Sequence, residues 1–141
     1  MSVTARVATN PEHRINAPNT KPRVIKLYGI GAGGGTSARE IAEAGLPRVD
    51  VTFDSAAPDT RSDRSFDIIV LTAKAGDDLS VAPAIYDAGV RLNVSVISVF
   101  LQDERSSASE QGVALLRASS DILVITSNRD YLAEMLTCLT E

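Results

Sequence analysis

Five of the seven residues from Gly29 to Gly35 are glycine: Gly29, Gly31, Gly33, Gly34 and Gly35. They follow a β-branched run, Arg23 to Ile30, and precede a helix-forming stretch, Thr36 to Ala44. In that context glycine lets the backbone turn tightly and come close to a phosphate. Free N–H groups and the helix N-terminus then supply positive potential. Read as G-x-G-x-x-G, the run is Gly29, Gly31 and Gly34, and Asp54 lies at the downstream distance where an acid meets a ribose hydroxyl. Ala32, Gly33 and Gly35 fill out the same cradle. A strand-to-helix turn without a ligand needs fewer glycines, so the chemistry expected here is phosphate or nucleotide binding.

Other candidates stand further along. Lys74-Ala-Gly-Asp-Asp-Leu-Ser80 offers Gly76 and two adjacent acids, Asp77 and Asp78. Those acids would repel a polyphosphate unless a magnesium ion bridged them. The plainer reading, and the one favoured, is a solvated helix start whose acids complement the dipole. Glu104 and Arg105 suit contact with a ribose or phosphate, although such a cluster is more often a solvated helix start. Asn128 suits a base edge, and it or Ser127 also suits an N-cap. The single histidine, His13, excludes a histidine-based metal site and a Ser-His-Asp triad from the core. No Walker-type Gly-Lys-Ser/Thr ending is present. Cys138, the one cysteine, reads as a small packing residue and permits no internal disulfide.

The elements that must position these residues alternate. Strands are expected over Arg23–Ile30, Val49–Asp54, Phe66–Ala73, Asn93–Phe100 and Asp121–Thr126. Phe66–Ala73 is almost continuously apolar, as a central strand buried on both faces should be. Helices are expected after the glycine run with Thr36 or Ser37 as N-cap, from Asp78 or Ser80 through Val81, Ile85 and Val90, over 106–118, and from Tyr131 to Leu139. Ile41 and Ala44 should face a sheet, and Gly45 should end the first helix. Alternation of this kind predicts an α/β fold, a Rossmann-like three-layer sandwich with a mostly parallel sheet of about five strands. Ligands of such sheets bind outside the carboxyl ends of the strands, where all the candidate segments would lie.

The chain has 141 residues, the size of one domain, with 44% hydrophobic and 23% charged residues. Residues 1–22 are rich in proline and polar residues and read as a disordered basic tail. With Arg23 that stretch carries Arg6, Arg14, Lys21 and Glu12, a net of +3, which leaves −7 for the rest of a chain whose total is −4. No secretory apolar run is visible in it. The acidic balance and the small number of aromatics argue against nucleic-acid binding. A cytoplasmic protein without membrane insertion is expected.

The order of segments resembles the FtsZ/tubulin family of GTPases, from about residue 23 to 132. Val24-Ile-Lys-Leu-Tyr-Gly-Ile-Gly-Ala-Gly-Gly-Gly35 is similar to that family's first strand and glycine loop. Glu43-Ala-Gly-Leu46 looks like the end of its first helix, and Val51-Thr-Phe-Asp-Ser-Ala56 like its second strand. Asp67–Ala73 is similar to the strand before the signature loop, and Ala82-Pro83 to the residues after it. Val94–Phe100 with Glu110-Gln-Gly112, then Asp121–Leu132, match the later strands and the asparagine turn.

The resemblance implies a nucleotide-binding domain over 23–141 with GTP or GDP as the candidate ligand. It departs in one decisive place. The family's G-G-G-T-G-T-G loop corresponds here to Ala75-Gly-Asp-Asp-Leu-Ser80. The family's central helix and water-activating loop are also not matched. The expectation is a truncated, non-catalytic FtsZ-like domain, nucleotide-binding or vestigial, that acts as a regulatory or interaction module through a protein partner or self-association. The alternatives are a small Rossmann-type protein that binds a dinucleotide or another phosphorylated cofactor, and a scaffold that binds no nucleotide.

Overall fold

The computed structural model describes residues 23–53, 66–102 and 110–141. Five strands form one sheet: β1 (Ile25–Gly29), β2 (Val49–Phe53), β3 (Ile68–Lys74), β4 (Ser95–Leu101) and β5 (Ile122–Thr126). Their order is β2-β1-β3-β4-β5, and every pairing is parallel. Among the described residues four helices flank the sheet: α1 (Gly31–Ala44), α2 (Ala82–Leu92), α3 (Glu110–Ala118) and α4 (Tyr131–Thr140). The protein is therefore a Rossmann-like α/β sandwich of three layers.

Strand order and handedness decide which helix covers which face. α1 leads from β1 outward to β2, whereas α2 and α3 step the other way, from β3 to β4 to β5. Right-handed crossovers then place α1 on one face and α2 and α3 on the other. The cores agree. Ala38 and Ile41 of α1 and Leu132 and Leu136 of α4 pack on Ile25, Leu27, Ile68, Val70 and Val99. Ala82 and Ile85 of α2 and Leu116 of α3 pack on Tyr28, Ile69, Leu71, Val96 and Phe100. β3 alternates between the two cores, and its first six residues are all buried. The near-continuous apolar run in the sequence has this cause.

The helix ends follow local chemistry. Gly45 ends α1 in the left-handed region at φ 68°, and its N–H donates to the Ala42 carbonyl. Asn93 ends α2 in the same way at φ 59°. Two details differ from the sequence expectation. Ala44 faces solvent rather than the sheet. More importantly, α1 begins at Gly31, so neither Thr36 nor Ser37 is its N-cap. The Thr36 hydroxyl instead donates to the Ala32 carbonyl one turn back. The glycine run is the first turn of a helix and not a loop ahead of one.

That early start requires close packing. β1 ends beside β3 with Gly29 in register with Thr72, and the Ile30 N–H donates to the Thr72 carbonyl at 2.9 Å. The chain then turns over β3 so tightly that a Cβ on Gly34 would stand 2.2 Å from the Thr72 carbonyl oxygen. A Cβ on Gly29 would stand 2.6 Å from the Gly34 carbonyl oxygen and 2.7 Å from the Ala38 Cβ. Both glycines are packing requirements of the helix–sheet contact. The tail over residues 1–22, Asp54 and the stretch holding Glu104 and Arg105 lie outside the described residues. Among the described residues no helix is long and apolar enough to cross a membrane.

Gly34→Ala is expected to destabilise the fold by about 1–3 kcal/mol, because the obstructing atom is backbone and cannot rotate away. Gly45→Asn, at a position with nothing within 4 Å of its Cβ site, should cost well under 1 kcal/mol, since asparagine tolerates a left-handed φ. Chemical denaturation of both variants checks the contrast.

Candidate functional site

The strand order reverses between β1 and β3, and the crevice outside their carboxyl ends is where such sheets bind ligands. Two connections meet there: the β1–α1 turn at Ile30 and Gly31, and the β3–α2 loop over 75–81. The register that sets Gly29 beside Thr72 also sets Gly33 and Gly34 near the residues just after β3. The site is thus built by strand pairing.

The β3–α2 loop folds back into this crevice. Gly76, at φ 93°, reverses the chain after Ala75. The Asp77 N–H donates to the Lys74 carbonyl at 3.0 Å, which closes a tight turn. The Asp77 carboxylate then enters the first turn of α1. Its Oδ1 accepts the Gly33 N–H at 2.9 Å, and its Oδ2 accepts the Gly34 N–H at 2.9 Å. Oδ2 also accepts the Lys74 N–H at 2.8 Å. One carboxylate therefore takes three backbone donors, at the short distances typical of charge-assisted bonds.

The arrangement is a helix N-cap supplied from 43 and 44 residues away. α1 has Ile30 at its N-cap position, with no side-chain cap of its own and no acid in its first turn. Its first N–H groups are the donors that a helix leaves unsatisfied. Asp77 satisfies two of them and places a negative charge on the positive end of the helix dipole. The fit explains two more glycines. A Cβ on Gly31, itself at φ 71°, would lie 2.6 Å from the Asp77 Cβ. A Cβ on Gly33 would lie 2.5 Å from the Lys74 Cβ and 3.0 Å from Asp77 Oδ2. Gly29, Gly31, Gly33 and Gly34 are thus all accounted for by contacts within the chain.

The remaining candidates are placed as follows. Ala32 is exposed and Gly35 half-buried on α1. Gly76 is exposed at the turn, with nothing within 4 Å of its Cβ site. Asp78 points its carboxylate at the Ser80 N–H, at 3.0 Å. That bond, joined by the Ser80 hydroxyl, holds the Asp78 carboxyl below the ordinary carboxylate range. Neither Asp78 nor Ser80 is the N-cap of α2, a position taken by Val81. Among the described residues no group of three His, Cys, Asp or Glu side chains is arranged for a metal ion.

Asn128 belongs to a different feature. Its Oδ1 accepts the Asp130 N–H at 2.9 Å, and its N–H donates to Thr126 Oγ1 at 3.0 Å. It thereby shapes the β5–α4 turn two residues ahead of the N-cap, which is Asp130 and neither Asn128 nor Ser127. Asn128 lines a cleft between α1 and α4, and Asp77 is not among the residues lining that cleft. The structure therefore gathers the glycines at the switch point and sets Asn128 apart from them.

Sequence reasoning treated Asp77 as a repellent to phosphate or an ornament of its own helix. Two of its three partners lie on α1, and the third is the Lys74 N–H at the end of β3. The one available signal was positional: an acid just past β3 faces donors just past β1 whenever those strands are neighbours. No family model matches the chain, and no curated protein does.

Asp77→Ala leaves three backbone donors without their acceptor and should cost about 2–3 kcal/mol. Asp77→Asn keeps one acceptor oxygen and should fall between Ala and wild type. Equal stabilities for the three proteins in urea denaturation would contradict the capping role.

Proposed function

We propose that this chain is a non-catalytic, FtsZ/tubulin-like domain whose nucleotide site is vestigial, and that it works as a regulatory or interaction module. The observation that carries the reading is the Asp77 carboxylate seated on the Gly33 and Gly34 N–H groups. A phosphate bound at a glycine-rich helix start uses such donors. Here an internal anion has them, and a polyphosphate brought alongside would meet both that charge and the exposed Asp78. The loop that carries Asp77 is also the stretch that departs from the family's phosphate-wrapping signature.

An interaction role draws on the surface at the far edge of the sheet. β5 has no partner on its outer side among the described residues. It is neutral from Ile122 to Thr126, none of its five residues is fully buried, and Ile125 is 40% exposed. An unpaired, uncharged edge strand is a template for pairing with another chain. The expected partner is a protein, in this reading, and not nucleic acid.

Two measurements test the proposal. Thermal shift with GTP, GDP, ATP, NAD and NADP, each with and without magnesium, should show no stabilisation. A ligand present at 100 times its dissociation constant would add about 2.7 kcal/mol and be easily seen. A guanine-selective shift, or phosphate release from GTP, would refute the vestigial site, and a dinucleotide shift would favour a cofactor-binding protein. In the second measurement, Asp77→Ala should regain stability in phosphate relative to chloride at matched ionic strength, by more than wild type does. An equal response of the two proteins would mean that the carboxylate does not occupy an anion position.

A further inference from the structure

The two edges of the sheet are guarded differently. At one edge β2 presents Asp50, whose side chain is 69% exposed and pairs with Lys26 at 2.7 Å. A charge at such a position discourages a further strand. At the other edge β5 holds no charge and has no outer partner among the described residues.

The backbone of β5 fixes which of its groups are open. The Thr126 carbonyl turns inward and accepts the Gln102 N–H at 2.9 Å. Alternate residues of a strand direct their N–H and C=O groups to opposite edges. Ile122 and Val124, in register with Ile97 and Val99, therefore face β4. The backbone groups of Leu123 and Ile125 point out of the sheet. Side chains alternate as well. Leu123 packs into the core under α2 and α3, so Ile125 lies on that face, while Ile122 and Val124 lie on the face of α1 and α4.

This pattern is complementary to itself. Set two copies antiparallel with a two-fold axis at Val124. Leu123 of each then exchanges N–H···O bonds with Ile125 of the other. Val124 lies opposite Val124, and Ile122 opposite Thr126. Every opposing pair is uncharged, and Ile125, the most exposed residue of the strand, gains the cover of a leucine. One patch serves both copies, as a two-fold interface requires. Each copy carries a net charge of −4, so their approach is least opposed where the surface holds none.

The neighbouring helix agrees. α1 packs over β1, β2 and β3, and Ala133 of α4 lines the cleft toward α1. Helical spacing puts Tyr131, Met135 and Leu139 on the other flank of α4, beside the open edge. All three are half-buried, and Glu134 is the one charged residue from Tyr131 to Thr140. An edge about 17 Å long and three layers, about 30 Å, deep offers roughly 500 Å² on each copy. The total of about 1,000 Å² suits a specific but weak dimer.

We infer that two copies of this chain associate edge to edge through β5, antiparallel about Val124, to form one continuous sheet. The inference rests on the interaction role proposed above and names its partner as a second copy. Sedimentation equilibrium of the full chain should show a monomer–dimer equilibrium at micromolar to millimolar concentrations. Hydrogen exchange read by NMR should show the Leu123 and Ile125 amides gaining protection as concentration rises, with no such gain along β2. Ile125→Lys, and Ile125→Pro, which removes an outward N–H, should each weaken association at least about tenfold. Val90→Lys, at a 60% exposed apolar position on α2, should leave it unchanged. Should an Ile125 variant not fold, the exchange pattern of the wild type decides. A monomer at all concentrations, protection of Leu123 and Ile125 that is independent of concentration, or dimers that survive both Ile125 variants would overturn the inference. The two readings fail separately. A monomeric chain removes this dimer but not a different protein partner, and a nucleotide shift removes the vestigial site but not this dimer.

Discussion

The contact between the Asp77 carboxylate and the first turn of α1 ties together the carboxyl edge of the sheet at β1 and β3. It joins three segments that are remote in sequence: the helix start after β1, the end of β3 and the loop toward α2. Without an acceptor there, α1 would have open donors at its N-terminus, and helices begin poorly at such a point. With it, the helix begins at Gly31, five residues ahead of the first residue in the sequence suited to a cap. The glycines make the contact possible, because a Cβ at Gly31 or Gly33 would stand where the Asp77 or Lys74 side chain now lies. Carboxylate and glycines therefore depend on each other.

This closure divides the carboxyl edge of the sheet. At the β1/β3 switch point, where open α/β sheets take their ligands, the chain has satisfied itself. Further along, α1 and α4 stand over the same face and leave the cleft above Thr72 and Val99. The two regions share α1. The first pairs a half-buried carboxylate with backbone donors, and the second is an open cleft lined by polar and apolar side chains together. Among the described residues no buried side-chain polar atom lacks a partner, and backbone groups find side-chain acceptors elsewhere too, as with Asp121 accepting the Val96 N–H at 2.8 Å.

Much of the architecture was legible in the residues. The apolar run at Ile68–Ala73 reads as a central strand because burial on both faces removes the need for alternation. Gly45 reads as a helix end because only a residue at ease with positive φ serves there. The parallel sheet of five strands follows from their alternation with helices. The start of α1 was not legible, since it is set by Asp77, and local sequence shows no cap before Thr36. The expectation that Ala44 packs inward failed because helical spacing gives a face only to within about a residue. Asn128 was read as a base contact or an N-cap; the N-cap is Asp130 and Asn128 shapes the turn before it, while its place beside the α1/α4 cleft depends on how two helices sit side by side.

The glycine run shows why a motif of this kind is ambiguous. Glycine is required wherever something must approach the backbone more closely than a Cβ allows. The requirement is the same whether the approaching group is a ligand's phosphate, a carboxylate of the chain or another stretch of backbone. At Gly31 and Gly33 the intruders are the side chains of Asp77 and Lys74, and at Gly34 the intruder is the Thr72 carbonyl. A sequence reader sees only the vacancy. What distinguishes the cases is whether the neighbouring strand's loop delivers an anion of its own. In a sheet with β1 beside β3, that loop follows β3, and an acid there competes directly with any phosphate. The residue that argued least for a site, Asp77, is the one whose carboxylate these glycines accommodate.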